Sequence, residues 1–141
     1  MKRLHLIYIL IVTSLISCTQ TPDEKLTHLA GYWEIADVTT VGGKKREFSL
    51  SQNIDFFEIQ DNLIGVRKKV QPDINGHFTT SQSLENIDIE INEDTLVLKY
   101  TTAFDSWKET VIKASKDQLI LVNEDGNTYT YRRYKPILLS E

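Results

Sequence analysis

The chain has 141 residues, 40 % apolar and 26 % charged, enough for one domain and too few for two, and globular rather than disordered. Its 6 glycines and 3 prolines exclude collagen-like and Pro/Gly-rich designs, and its single cysteine excludes an intramolecular disulfide framework or a cysteine-rich zinc module. A net charge of −4 argues against a nucleic-acid partner, because phosphate contacts need a basic surface.

Lys2 and Arg3 precede an apolar stretch over residues 4–12 and then Thr13-Ser14-Leu15-Ile16-Ser17-Cys18. This is a charged start, a short apolar segment and a small residue before the cysteine. The stretch, interrupted by His5 and Tyr8, is shorter than the roughly 20 residues that span a bilayer. Leu15-Ile16-Ser17-Cys18 resembles the lipobox of bacterial lipoprotein signal peptides. The resemblance implies a signal peptide over 1–17, diacylglycerol on the Cys18 thiol and often a further acyl chain, such as palmitate, on the new amine. Two chains give stable anchoring at about 0.8 kcal/mol per buried CH₂. The alternative is an ordinary secretory signal with a chance cysteine. Cleavage removes two basic residues and no acid, leaving 124 residues with 14 basic and 20 acidic side chains, a net charge of −6. Thr19, where an aspartate would mark inner-membrane retention, points to the outer membrane, on its periplasmic or surface face. Asp23-Glu24 resembles acidic surface-export signals of Bacteroidota lipoproteins, although two solvated acids in a tether read the same way. Residues 18–25 are therefore expected to be lipidated Cys18 and a flexible tether, with the barrel domain over 26–136 and a tail over 137–141.

Over 26–136 no long segment has a 3.6-residue apolar period; short β-branched and aromatic runs are separated by Gly, Asn and Asp. The runs predict ten strands, over 32–41, 46–50, 54–60, 64–70, 77–82, 87–92, 96–103, 107–114, 119–123 and 128–134. Turn signals stand at Gly42-Gly43, Asp61-Asn62, Asn75-Gly76, Glu93-Asp94, Asp105-Ser106, Lys116-Asp117 and Asp125-Gly126. The expected fold is all-β, an antiparallel up-and-down β-barrel of about 8–10 strands, closed so that no edge stays exposed.

Register can be tested on paper. A two-residue turn at Glu93-Asp94 sets Ile91 against Leu96, Ile89 against Leu98, Ile87 against Tyr100, and Asp88 against Lys99. A shift by one residue would destroy every apolar match. A two-residue turn at Asp125-Gly126 sets Val122 against Tyr129 and Ile120 against Tyr131, and a three-residue loop would shift the pairing. At Asp105-Ser106, Glu109 falls on the face of Tyr100 and Thr102, so either a bulge intervenes or the interior carries a carboxylate.

Leu29-Ala30-Gly31-Tyr32-Trp33 puts a Gly-x-Trp at the opening of the first strand. With the strand count and a late arginine, this resembles the lipocalins (the calycin group). Trp107-Lys108-Glu109 and Tyr129-Thr130-Tyr131-Arg132-Arg133 make it similar to the lipocalin-like lipoproteins of Bacteroidota over most of residues 26–136. The resemblance implies that Trp33 closes the barrel floor with an arginine stacked on it, Arg133 first and Arg132 second. It also implies a short N-terminal helical turn, carrying Leu26 and Leu29, that plugs the floor. Residues 137–141 are too few for the C-terminal helix of a full lipocalin.

No Gly-x-Ser-x-Gly is present, and the one thiol stands at the lipidation position. No catalytic residue, metal ligand or cofactor is expected. His28 lies at the barrel entrance. His77 beside Asp73 reads as an exposed turn histidine before a metal or acid–base pair. Among Asp55, Glu58, Asp88 and Glu90, the last two fall on an outward face and are solvated. Arg67-Lys68-Lys69 reads as surface charge or a lipid-headgroup contact, with Arg67 and Lys69 on one face and Lys68 on the other. The aromatics either fill the interior or line a pocket opposite Trp33, whose candidate lining is Phe56, Tyr100, Phe104, Trp107, Glu109, Tyr129 and Tyr131. Two functions follow. The first is a membrane-anchored envelope lipoprotein that binds a small hydrophobic or amphipathic molecule. The second is a structural lipoprotein whose filled barrel is a platform for an envelope protein partner. An enzyme would need a buried polar cluster around Glu109.

Overall fold

The structure, a computed structural model, describes residues 19–136. The signal-peptide segment, Cys18 and the tail over 137–141 lie outside the described residues. Helix α1 (Pro22–Leu29) is followed by β1 (Gly31–Thr39), β2 (Lys45–Glu47), β3 (Ile54–Ile59), β4 (Ile64–Pro72), β5 (Phe78–Asn92), β6 (Thr95–Thr101), β7 (Ser106–Ala114), β8 (Gln118–Asn123) and β9 (Thr128–Arg133).

The strands from β3 to β9 pair antiparallel in sequence order, and β1 pairs with both β3 and β9. Eight strands thus close into an up-and-down barrel. β2 is an addition, taking residues 37–39 of β1 on the edge where β3 takes residues 31–34. The predicted strands 77–82 and 87–92 are one strand, β5, since neither glycine nor proline falls between them to break the run. The chain bends there instead: Lys68 pairs with Leu84 but Val70 with Thr80, so Ser81-Gln82-Ser83 stand opposite Lys69 alone. Beyond this bulge Phe78 stacks on Tyr32, centroids 4.6 Å apart, and Tyr32 packs on Phe56 at 4.5 Å, an aromatic cluster on the outer wall.

Between β5 and β6 the register is the expected one, Ile91↔Leu96, Ile89↔Leu98 and Ile87↔Tyr100, with Asp88↔Lys99 outside. Between β8 and β9 it is shifted by one: Leu121 pairs with Tyr129 and Leu119 with Tyr131. The connection is the four-residue loop 124–127, fixed by Asn123 N–H donating to the Asn127 carbonyl at 3.0 Å. The shift gains an apolar interior, for Leu119, Leu121 and Tyr131 are all buried.

The tether expected over 18–25 is short, because α1 begins at Pro22. Thr21 and Glu24 form a capping box: Glu24 N–H donates to Thr21 Oγ1 at 3.3 Å and Thr21 N–H to Glu24 Oε2 at 2.9 Å. Pro22 sits at the first helical turn, where its missing N–H costs nothing, and Asp23 and Glu24 face the positive end of the helix dipole. Those acids are thus part of a helix start. Thr21→Ala is expected to lower stability by about 1 kcal/mol, read as a shifted urea midpoint with unchanged slope.

Candidate functional site

Gly31 has φ +116, and a Cβ there would meet Arg133 Nη1 at 2.7 Å. The glycine of Gly-x-Trp is therefore needed both for its backbone conformation and for the approach of the arginine. Arg133 lies over the Trp33 ring, Cζ 3.6 Å from the centroid, while its guanidinium donates to the carbonyls of His28, Ala30 and Lys116. The Trp33 indole N–H donates to the Leu29 carbonyl at 2.9 Å, so the end of α1 is tied to the floor. Arg132 points the other way. It donates to Glu34 at 2.9 Å and to the Ser49 carbonyl at 2.7 Å, holding the loop between β2 and β3 on the outer wall.

Above Trp33 the interior is filled. Phe57, Leu96, Leu98, Val111, Leu119 and Leu121 have no exposed surface, and Ile87 and Tyr131 have little. Nearer the open end the character changes. Glu109 pairs with Leu98 across β6–β7 without a bulge, so the interior does carry this carboxylate. Its partner is Arg67, which is 7 % exposed and therefore not the surface charge expected of Arg67-Lys68-Lys69. Arg67 Nη1 donates to Glu109 Oε2 at 3.2 Å and to the Tyr100 hydroxyl at 3.4 Å, and its Nε donates to Glu85. Its guanidinium lies 4.2 Å from the Tyr100 ring centroid, and Trp107 stacks on Tyr100 at 5.2 Å. Half-exposed Lys69 donates to the buried Asp55 at 2.6 Å.

Burial works against a charged Arg67, but the neighbouring Tyr100 and Glu109 and the Glu85 hydrogen bond outweigh it and hold the guanidinium protonated far above its ordinary range. Burial also pushes the Tyr100 and Tyr131 phenols well above theirs, with Glu109 beside the first and Asp55 beside the second adding to the rise. Both tyrosines thus remain neutral hydroxyls. The layer is a guanidinium shared by two carboxylates, roofed by aromatic faces. Among the described residues no buried side-chain polar atom lacks a hydrogen-bond partner, so the charges of this layer satisfy one another.

Of the expected lining, Tyr100, Glu109 and Tyr131 are interior, and Trp107 and Tyr129 are partly buried against the core. Two are not lining residues. Phe56 pairs with Tyr32 on the outer face, because Asp55 and Phe57 take the inward positions of β3. Phe104 is 99 % exposed at the tip of the β6–β7 loop, where the Thr102 hydroxyl accepts from the Phe104 and Asp105 N–H groups and fixes the turn. Arg67, Glu85 and Asp55 were not legible as interior residues from their type. The available signal was phase: an inward Glu109 requires an inward cation. Among the described residues no group of three or more His, Cys, Asp and Glu is placed to hold a metal ion.

The Glu34–Arg132 contact gives a pH dependence. Burial raises the Glu34 pKa, but Arg132 and the Ser51 N–H overcome this and hold the carboxyl below its usual range. A lowered folded-state value contributes stability that is present above the unfolded value and is lost as pH falls through the folded one. Glu34→Gln is therefore expected to show a deficit of up to about 1 kcal/mol at neutral pH that vanishes in acid, measured by denaturant midpoints across pH.

Residues 29–121 match the model of a lipocalin-like domain family. A solved structure of a lipocalin-like protein from Bacteroides uniformis is 13 % identical, with a TM-score of 0.49, covering 76 % of this chain and 99 % of that one. No curated protein matches the chain.

Proposed function

Because the chain belongs to the lipocalin-like domain family, we propose that it is a non-enzymatic binding protein of the bacterial cell envelope, anchored to the outer membrane by lipid on Cys18, that takes a small amphipathic molecule at the open end of its barrel. The observation that carries this reading is the charged layer of Arg67, Glu85 and Glu109 under the faces of Tyr100 and Trp107. A barrel that served only as a scaffold would be as stable or more so with apolar residues there, because burying three charges costs more than well-packed hydrocarbon. The filled lower interior favours a shallow seat over a deep cup, so the guest's polar group meets the layer and its apolar part meets the aromatic roof.

The test uses the natively purified mature protein with submicellar laurate, dodecyltrimethylammonium and dodecyl maltoside, whose alkyl chains are similar and whose head groups are anionic, cationic and neutral. One of them is expected to raise the melting temperature, by the equivalent of about 2.7 kcal/mol at a hundredfold excess over Kd, and to perturb Trp107 fluorescence. No shift and no copurified small molecule would count against binding. Anchoring is tested separately: if Cys18→Ala protein still takes up palmitate and sediments with membranes, the anchor is wrong.

One observation favours the protein-platform reading. Phe104 and Val41, 99 % and 78 % exposed on hairpin tips of the open end, are the apolar contacts that a protein partner would cover.

A further inference from the structure

We infer that the floor end of the β7–β8 outer wall, beside α1, is the part that touches the anchoring bilayer, with the strands rising from it; this rests on the proposed lipidation of Cys18. The chain is clamped immediately after that residue. The Gln20 side chain bonds the backbone of Ala114 twice: its Nε2 donates to the Ala114 carbonyl at 2.7 Å and its Oε1 accepts from the Ala114 N–H at 3.1 Å. Two residues of extended chain reach at most about 7 Å, so lipid on Cys18 cannot stray far from the end of β7.

Next to the clamp is a groove of about 550 Å³ lined by Thr19, Gln20, Lys25, Ile112, Lys113 and Ile120, with Asp94 at its edge. Ile112 is there because β7 bulges: Val111 pairs with Leu121 and Lys113 with Ile120, leaving Ile112 unpaired and 50 % exposed. The groove is apolar along its isoleucines; Lys25 is only 8 % exposed within it, so of its lining lysines the exposed Lys113 is the one presented outward. Lysine stems lie along apolar surface while their ammonium groups reach for water or phosphate. An apolar strip close to Cys18, with Lys113 at its rim, fits the boundary between acyl chains and head groups. The nine residues of β7 then carry the chain from Ala114, at the membrane, to Ser106 roughly 20 Å away once strand tilt is allowed for. The Tyr100–Trp107 roof and Phe104 thus face away from the anchoring membrane.

The experiment uses the full-length protein, lipidated in a bacterial host and reconstituted into vesicles of phosphatidylethanolamine and phosphatidylglycerol at 3:1. The chain has one cysteine, so Ile112→Cys and Phe104→Cys each give a single free thiol for a nitrobenzoxadiazole label. Both positions are exposed, so folding is expected to survive. The label at 112 is expected to shift to the blue and to lose at least half its emission to doxyl-labelled lipid, while the label at 104 loses none. Protein that floats with vesicles but is unquenched at 112, or is quenched at 104 instead, overturns the orientation and leaves the anchor standing. A blue shift at 112 without lipid quenching assigns the groove to contact with a second copy of the chain and overturns the lipid contact. Protein that does not float overturns anchor and orientation together.

Discussion

Replacing Arg67 by methionine is expected to destabilise the barrel by about 3–5 kcal/mol, one of the two largest single-residue effects anticipated here. The substitution leaves Glu109 and Glu85 facing an apolar side chain where a guanidinium had bonded both. The cost is chiefly that of Glu109 orphaned where Tyr100 and the core exclude water, with part-buried Glu85 adding less. The informative comparison is the triple variant Arg67→Met, Glu85→Leu, Glu109→Leu. With all three charges gone, stability is expected to return to within about 1 kcal/mol of the parent or to exceed it, while the response to amphiphiles is lost. Urea unfolding of both variants measures the difference. A single variant that loses less than about 1 kcal/mol would mean that the layer is hydrated and not a sealed pair of ion pairs.

Trp33→Ala carries the other large expectation, also about 3–5 kcal/mol, a fall in melting temperature of roughly 10 °C or more. Trp33 has no exposed surface, is a large part of the floor, and fixes α1 through the bond to the Leu29 carbonyl. Its loss opens a cavity, frees Arg133 from its stacked position, and undocks the helix. Trp33→Phe separates these effects: it keeps an aromatic face for the guanidinium and removes the N–H, so an intermediate loss is expected. Calorimetry on the two variants, with far-ultraviolet dichroism to check that the sheet persists, decides the matter. Equal losses would assign the whole effect to the hydrogen bond.

How much of this could be read in the residues depends on whether burial and polarity agreed. Along 87–101 they did: isoleucines alternate with acids, each inward residue meets an apolar partner, and the register follows. In β3 they did not. Asp55 looks like a solvent residue and so assigns Phe56 to the interior, whereas Lys69 and Tyr131 hold Asp55 inside and reverse the phase. Arg67 misleads for the same reason, since a basic triplet in an acidic chain reads as surface. The clue that existed lay three strands away, in the inward phase of Glu109. Phe104 fails for a different cause: strand phase carries no information in a four-residue turn whose direction is set by the Thr102 hydroxyl. The Trp33–Arg133 pair was accessible through the resemblance that the Gly-x-Trp and the late arginine carry, and not from burial or polarity.

The pairing of β1 with β9 joins residues 33–39 to residues 128–133, the two ends of the barrel sequence. Every other strand contact joins chain neighbours or, for β1 with β3, strands separated only by the short β2, but this one must close a loop of about ninety residues, with the entropy loss that a long loop carries. Closure is therefore the slow, late event in folding, and it cannot begin until the last strand has been delivered. Until β9 is in place the chain is an open sheet, with β8 and the facing side of β1 both lacking their partner. The topology thus leaves the sealing of the barrel to its ninth strand.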